Sequence, residues 1–419
     1  MATSRCRRWH RAAPTDKGDV LPAISATDLL VLLPLLGWLA VAALGCYGVY
    51  DCVKSLKPAP SVIWRPNILL IVPVRGAAPH VAALWQAIRS QQLAARRVVF
   101  ALEDEADPAF AAIQALPPGP VRDCVIAGPA VLRGQKVHNL LAALETLKPD
   151  DDVVVFADAD IVPARDWMAR LAIPFQEPDI RILSGYRWMT PSDDHWSSSF
   201  VCVANASVAT LPRSALWNIP WGGSIAASPD TLATLDLQTI WDRSLPDDIP
   251  LGLAARANGF PVTCPQSLLV PSPTAMSWRE ALAFGRRQYL FIRWYQPKHW
   301  MLAAAGTTLP LIGWAVAIPL AITGDAAAIA TIVVANGLDQ VRATLRRQVP
   351  RTLWGTEMPR RMAAIDRFAT PAVQAFHAAI VWSTLFGRSM TWAGRRYRLD
   401  AERRVTRIDK VTSRETAEA

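Results

Sequence analysis

The sequence predicts an α/β domain with a mostly parallel sheet and helices on both of its faces, joined to N-terminal and C-terminal transmembrane helices. Three observations carry this reading. Short apolar runs of strand length alternate with stretches of helical spacing from residue 67 to residue 157. Residues 29–50 are uncharged for 22 positions and residues 301–324 for 24. Between residues 51 and 299 no comparable uncharged run occurs, so that stretch is expected to face water.

The elements follow in chain order. Residues 1–28 are polar and basic, with Arg5, Arg7, Arg8, Arg11 and Lys17, and are expected to be a disordered tail. The run 29–50 is long enough to span hydrocarbon, which takes roughly 20 apolar residues. It starts late, is long for a signal sequence and lacks a small-x-small exit before Asp51, so it reads as an anchor. Residues 54–66 form a linker rich in Pro and Lys. Residues 67–74 (NILLIVPV) are an unbroken apolar run, as expected of a strand buried on both faces. Helical spacing over 79–92 is followed by strand 97–102, a short helix 107–116, strand 121–126, helix 135–147 and strand 153–157. That alternation implies a parallel sheet, whose ligands bind beyond the carboxyl ends of the strands.

Acidic residues stand at two of those ends. The second strand runs into Glu103-Asp104-Glu105 and the fourth into Asp158-Ala159-Asp160. A D-x-D after an apolar strand brings two hard carboxylates to one sheet edge, where Mg²⁺ or Mn²⁺ would take them together with phosphate oxygens. D-x-D is also a common solvated turn, so the strand context carries the functional reading. Asp247-Asp248 precedes helical spacing over 250–258 and could cap that helix or supply a general base.

The net charge of +9 comes from arginines beside the apolar runs, which suits anionic headgroups rather than nucleic acid. Residues 276–300 mix aromatics with arginines and read as an interfacial amphipathic helix. Residues 301–387 are expected to hold C-terminal membrane segments around a basic loop at 340–368, with 388–419 as a basic cytoplasmic tail. Runs 326–338 and 369–387 are weaker than the first two, and the former is short enough to be re-entrant. Six cysteines without C-x-x-C spacing suit a reduced compartment.

The segments NILLIVPVRG, ALEDEADPA, GQKVHNL, VFADADIVP, WGGSIA, PDDIPLG and RRQYLFIRW occur in an order that resembles membrane family-2 glycosyltransferases. The ceramide glucosyltransferase group and the bacterial hopanoid-associated glycosyltransferases are the most similar, over about residues 30–400. The resemblance implies a GT-A-like domain over 67–275 and inverting transfer from a UDP-sugar to the hydroxyl of a membrane lipid such as ceramide, a hopanoid or diacylglycerol. It implies that Asp104 holds the nucleotide, that Lys136 and Asn139 open a helix near the donor, and that Asp158 and Asp160 bind the metal and diphosphate. It further implies Asp248 as catalytic base and Trp221, Gly222 and Gly223 as a loop beside donor sugar and acceptor. Where the family has Gln/Arg-x-x-Arg-Trp, this chain has Gln288 five positions before Arg293-Trp294, so Arg293 and Trp294 are the expected donor-binding residues. The setting implied is a bacterial inner membrane with the catalytic domain cytoplasmic, although the basic N-terminal tail then lies outside. A polysaccharide synthase or polyprenyl-phosphate glycosyltransferase of the same fold, or an inactive membrane scaffold, are the competing readings.

Overall fold

The computed structural model describes residues 26–76, 78–215 and 217–411. The N-terminal tail expected at 1–28 lies largely outside the described residues, as do 412–419. The chain opens with helix α1 (Ala26–Lys54) and enters the sheet domain as β1 (Ile68–Pro73), α2 (Ala78–Arg89), β2 (Arg97–Leu102), α3 (Pro108–Gln114), β3 (Val121–Ile126), α4 (Gln135–Leu144) and β4 (Val153–Ala157). These follow the predicted elements closely. Helix α3 starts where it does because Asp107 accepts a hydrogen bond from Ala109 N at 2.9 Å and Pro108 fits the first helical position.

After β4 come α5 (Trp167–Ala172), β5 (Ile182–Ser184), β6 (Tyr186–Pro191), α6 (Trp196–Ala209), β7 (Ser224–Ala227), α7 (Pro229–Leu235), α8 (Leu237–Ile240), α9 (Asp248–Ala257), β8 (Val262–Thr263) and β9 (Leu269–Thr274). The main sheet has seven strands in the order β3-β2-β1-β4-β7-β5-β8. Strands β1 to β4 are mutually parallel, and β7 is antiparallel to both β4 and β5. Ile68, Leu70 and Val72 pack on one face of β1, and Leu69 and Ile71 on the other, all fully buried. Covering both faces explains the unbroken apolar run, and each such side chain contributes about 1.5–3 kcal/mol. A separate parallel pair, β6 with β9, stands beside the main sheet.

The second half comprises α10 (Trp278–Tyr295), α11 (Pro297–Ile322), α12 (Ala326–Arg346), α13 (Gln348–Trp354), α14 (Arg360–Phe368) and α15 (Thr370–Trp382), then β10 (Ser389–Trp392), β11 (Arg395–Leu399) and β12 (Val405–Lys410). Two helices are long and apolar enough to cross a membrane, over Leu29–Lys54 and Pro297–Ile322. They cross closely: a Cβ on Gly313 would lie 2.6 Å from Trp38 Cβ, and the Trp38 and Trp314 rings pack at a tilt with centroids 4.5 Å apart. Helix α12 packs along both. Leu30, Leu33, Leu36, Met301, Val333 and Val334 remain exposed around this bundle.

Two expectations are corrected here. Residues 340–368 are not a basic loop but the end of α12 with α13 and α14. Arg342 and Arg346 are buried there because Asp366 pairs with both, at 3.2 and 2.5 Å, and Asp339 joins Arg342 at 3.1 Å. Residues 389–410 are not a free tail but an antiparallel three-stranded sheet. Its Met390, Tyr397, Leu399 and Val405 pack on Leu245, Leu290 and Trp294. The arginines alternate with those apolar residues, which a reading by charge alone misses.

Candidate active site

The carboxyl ends of β2 and β4, the start of α4 and the start of α9 converge. Lys136, on the first turn of α4, is the hub. Its Nζ lies 2.8 Å from Asp158 Oδ1 and 3.1 Å from Asp247 Oδ2, and donates to Gly222 O at 3.1 Å. Burial alone would push the Lys136 ammonium down, but Asp158, Asp247 and Asp248 together hold it above the ordinary lysine range. Burial likewise opposes the charge on Asp158, yet Lys136 and Arg187 keep its carboxyl below the usual range.

Asp248 stands in a different field. Burial first and the neighbouring Asp247 second push its carboxyl up to about 6, against the pull of Lys136. Its Oδ2 accepts from Gly222 N at 3.0 Å and its Oδ1 from Ile249 N at 2.7 Å, which fixes the carboxylate in place. Asp247 heads α9 but makes no side-chain cap; its carboxylate goes to Lys136 and its carbonyl accepts from Trp241 Nε1 at 2.8 Å. The capping role weighed for this pair is therefore not what Asp247 performs. Trp221, Gly222 and Gly223 line the same space. A Cβ on Gly222 would lie 2.8 Å from Lys136 Nζ, and one on Gly223 2.7 Å from Asp158 Oδ2, so both positions require glycine for close approach.

The remaining expected residues divide. Asp160 is exposed at the rim and makes no ion-pair contact among the described residues, with Arg287 near enough to feel its charge. Asp104 is exposed at the end of β2, accepting from Ala106 N at 2.9 Å. Asn139 is buried, donating to Ala101 O at 3.1 Å and accepting from Gln135 at 2.8 Å, so it braces the end of β2 instead of facing a ligand. Arg293 and Trp294 are not brought to the acids. Arg293 Nη1 donates to Leu385 O at 2.5 Å and its Nη2 to Gly387 O, and Trp294 Nε1 reaches Gly387 O at 3.3 Å. The reason is helical phase: six residues on α10 turn the side chain by about 240°, so a helix that shows Arg287 to the acids turns Arg293 away.

Three cations were missed. Arg187, on β6, lies 3.5 Å from Asp158 Oδ2 with its guanidinium 4.9 Å from the Trp221 ring. Arg287, on α10, lies within electrostatic reach of Asp160 and Asp158, and burial and then Arg187 bring it down to about 10. Its position next to Gln288 in the RRQ run was the available signal. Arg395, on β11, is buried, donating to Gln135 Oε1 at 2.7 Å and pairing with Glu103. Through Gln135, which also holds Gly128 O, Ala130 N and Asn139, the C-terminal sheet braces the strand end that carries Asp104.

A mixed sheet whose strand ends gather acids, a buried lysine and paired glycines defines a group-transfer enzyme of the α/β class. Residues 35–405 match the model of glycosyl transferase family 21, and the chain belongs to that family. Its seven-stranded mixed sheet is GT-A-like. None of the curated proteins compared with the chain matches it. Among solved structures it is similar to a mannosyltransferase from Pyrobaculum calidifontis in complex with GDP-Man and Mn²⁺, at 17% identity and TM-score 0.48, covering 85% of this chain and 98% of that one. It is also similar to glucosyl-3-phosphoglycerate synthase from Mycobacterium tuberculosis in complex with Mn²⁺ and UDP-glucose, at 15% identity and TM-score 0.36, covering 54% and 78%. A third is S. aureus TarS 1–349 in complex with UDP-GlcNAc, at 10% identity and TM-score 0.37, covering 79% and 96%.

Proposed function

We propose that the protein moves a sugar, with inversion, from a UDP-sugar to the hydroxyl of a membrane lipid, with ceramide, a hopanoid and diacylglycerol as the candidate acceptors. The observation that carries this reading is the gathering at one strand edge of Lys136, held by Asp158 and Asp247 at 2.8 and 3.1 Å, and the buried Asp248 carboxylate, fixed by Gly222 N at 3.0 Å. In the transfer, the acceptor hydroxyl gives its proton to Asp248 while its oxygen forms the new bond to the anomeric carbon. The bond from that carbon to the diphosphate breaks on the opposite face, through an oxocarbenium-like state. Lys136, Arg187 and Arg287 supply positive charge to the leaving diphosphate. Asp104 takes the nucleotide at the end of β2, and the Trp221–Gly223 loop faces the sugar.

Asp158 and Asp160 fit a divalent cation, Mg²⁺ or Mn²⁺. Asp160 offers an exposed carboxylate, and Asp158 a carboxylate shared with Lys136 and Arg187. Among the described residues no group of three or more His, Cys, Asp or Glu could hold a metal unaided, so donor phosphate oxygens would complete the shell. When bound, the ion would offset charge on the diphosphate.

The lipid acceptor is supported by the apolar exteriors of α1 and α11 and by the continuity of α10, which carries Arg287, into α11. The same reading places α1, α11 and α12 across the bilayer and keeps α15 on the catalytic side. Thr370, at its start, accepts from Arg342 Nη2 at 3.1 Å, and Trp382, at its end, donates to Thr308 at 2.8 Å. The C-terminal sheet then shares the compartment of the catalytic domain, which its contact with Glu103 requires.

The test is to reconstitute the full chain in vesicles, supply a panel of UDP-sugars with each lipid, and follow UDP release and glycolipid mass. UDP release coupled to a glycolipid product is expected. Release that proceeds equally without acceptor lipid would refute the acceptor class.

A further inference from the structure

A cavity of about 310 Å³ opens between the end of α12 and helix α14, away from the strand-end acids. Arg347, Arg360 and Arg367 line it, with Glu357 and Phe368. The one acid is already engaged, since Glu357 Oε1 accepts from Arg351 Nε at 2.6 Å. Arg347 Nε is buried and has no hydrogen-bond partner, so a donor points into the structure without an acceptor. Arg367 is held by Gln340 Oε1 at 2.7 Å, with its guanidinium 5.6 Å from the Phe368 ring. Phe368 itself is 76% exposed, and Val341 on the adjoining turn of α12 is half exposed. The cavity therefore combines excess guanidinium charge with an exposed apolar lip at Phe368.

We propose that this cavity binds the phosphate headgroup of an anionic membrane phospholipid, seated with its acyl chains along Phe368 and α12. The proposal rests on the membrane reading above but not on the sugar-transfer reading. Guanidinium forks match phosphate oxygens in pairs, and three of them around one opening select an anion over a zwitterion. Basic pockets beside membrane helices hold anionic headgroups by the same physics. The volume accommodates a phosphate with its glycerol, and the apolar lip gives the chains somewhere to lie. A soluble phosphate would gain nothing from that lip.

The experiment follows thermal unfolding of the full chain in a nonionic detergent, titrated with dioctanoyl phosphatidylglycerol, dioctanoyl phosphatidylcholine or inorganic phosphate. Phosphatidylglycerol is expected to raise Tm saturably, and phosphatidylcholine and phosphate to do so at least tenfold less effectively. Arg360→Gln changes an exposed side chain and should leave Tm without lipid unchanged while weakening the phosphatidylglycerol response at least threefold. Arg347→Gln combined with Arg360→Gln should abolish it. Equal responses to the two phospholipids, a full response to phosphate alone, or an undiminished response in Arg360→Gln would each overturn the proposal. UDP release in detergent serves as an independent readout, so loss of lipid binding and loss of sugar transfer are told apart.

Discussion

As the base of the proposed transfer, Asp248 would face two opposed demands, because a base must ionise while burial and Asp247 both resist its charge. A carboxyl at about 6 is ionised above that pH, so turnover should rise with pH through about 6 and then level off. Asp247→Asn removes the like charge and should move that acidic limb to lower pH, read from kcat against pH at saturating donor. Asp248→Asn should cut turnover about 10²–10⁴-fold with donor binding little changed. The linkage sign gives a second check. A raised folded-state carboxyl means that the folded protein holds more protons than the unfolded one between about pH 4 and 6, so stability falls as pH rises across that window. Asp248→Asn should remove that fall and raise Tm at pH 8; a lower Tm there would contradict the assigned field. Asp160→Ala should abolish transfer and its dependence on added Mn²⁺ without lowering Tm, since this exposed carboxylate makes no ion-pair contact among the described residues. Full turnover of that variant in EDTA would dismiss the metal assignment.

Elements with one strong physical signature were readable from sequence, and those held together by long-range pairing were not. Strands β1, β2 and β4 are apolar throughout because both faces are covered, and that pattern survives without context. Strands β5, β7 and β8 are only three, four and two residues long, and they exist because β7 found β4 and β5 as partners. Asp158 and the Asp247-Asp248 pair were legible because strand ends and helix starts are local, and Lys136 and the choice of Asp248 came from the family resemblance, whereas Arg187 joins them from another sheet. Helix α10 differs in phase from the expectation: Arg293 turns to Leu385 and Gly387, and the side chain within electrostatic reach of the acids is Arg287, six residues earlier. Strand β11 did carry a signal, in the alternate burial of Arg395, Tyr397 and Leu399. As a positioning residue, Arg395 predicts a split effect. Arg395→Ala should raise the KM for the UDP-sugar about tenfold or more while kcat changes little, and Arg395→Lys should recover only part, because one ammonium cannot span both Glu103 and Gln135. Equal losses in kcat and none in KM would assign Arg395 elsewhere.

Taken whole, the chain sets a sheet domain against a helical bundle that leaves Leu30, Leu33, Leu36, Met301, Val333 and Val334 exposed. That arrangement predicts that the protein stays with the membrane pellet after carbonate and high-salt washing, measured by immunoblot of both fractions. Release into the supernatant would mean that α1 and α11 serve as core helices. The bracing of Glu103 and Gln135 by Arg395 has a further consequence, which concerns time. Arg395 follows Glu103 by 292 residues. At about 5–20 residues per second, a ribosome takes roughly 15–60 s to cover that stretch. Helix α1 is made before that interval and helices α10 to α15 within it, all before β11 can dock. A nascent chain therefore holds the strand end that carries Glu103 unbraced until helices α10 to α15 have been made.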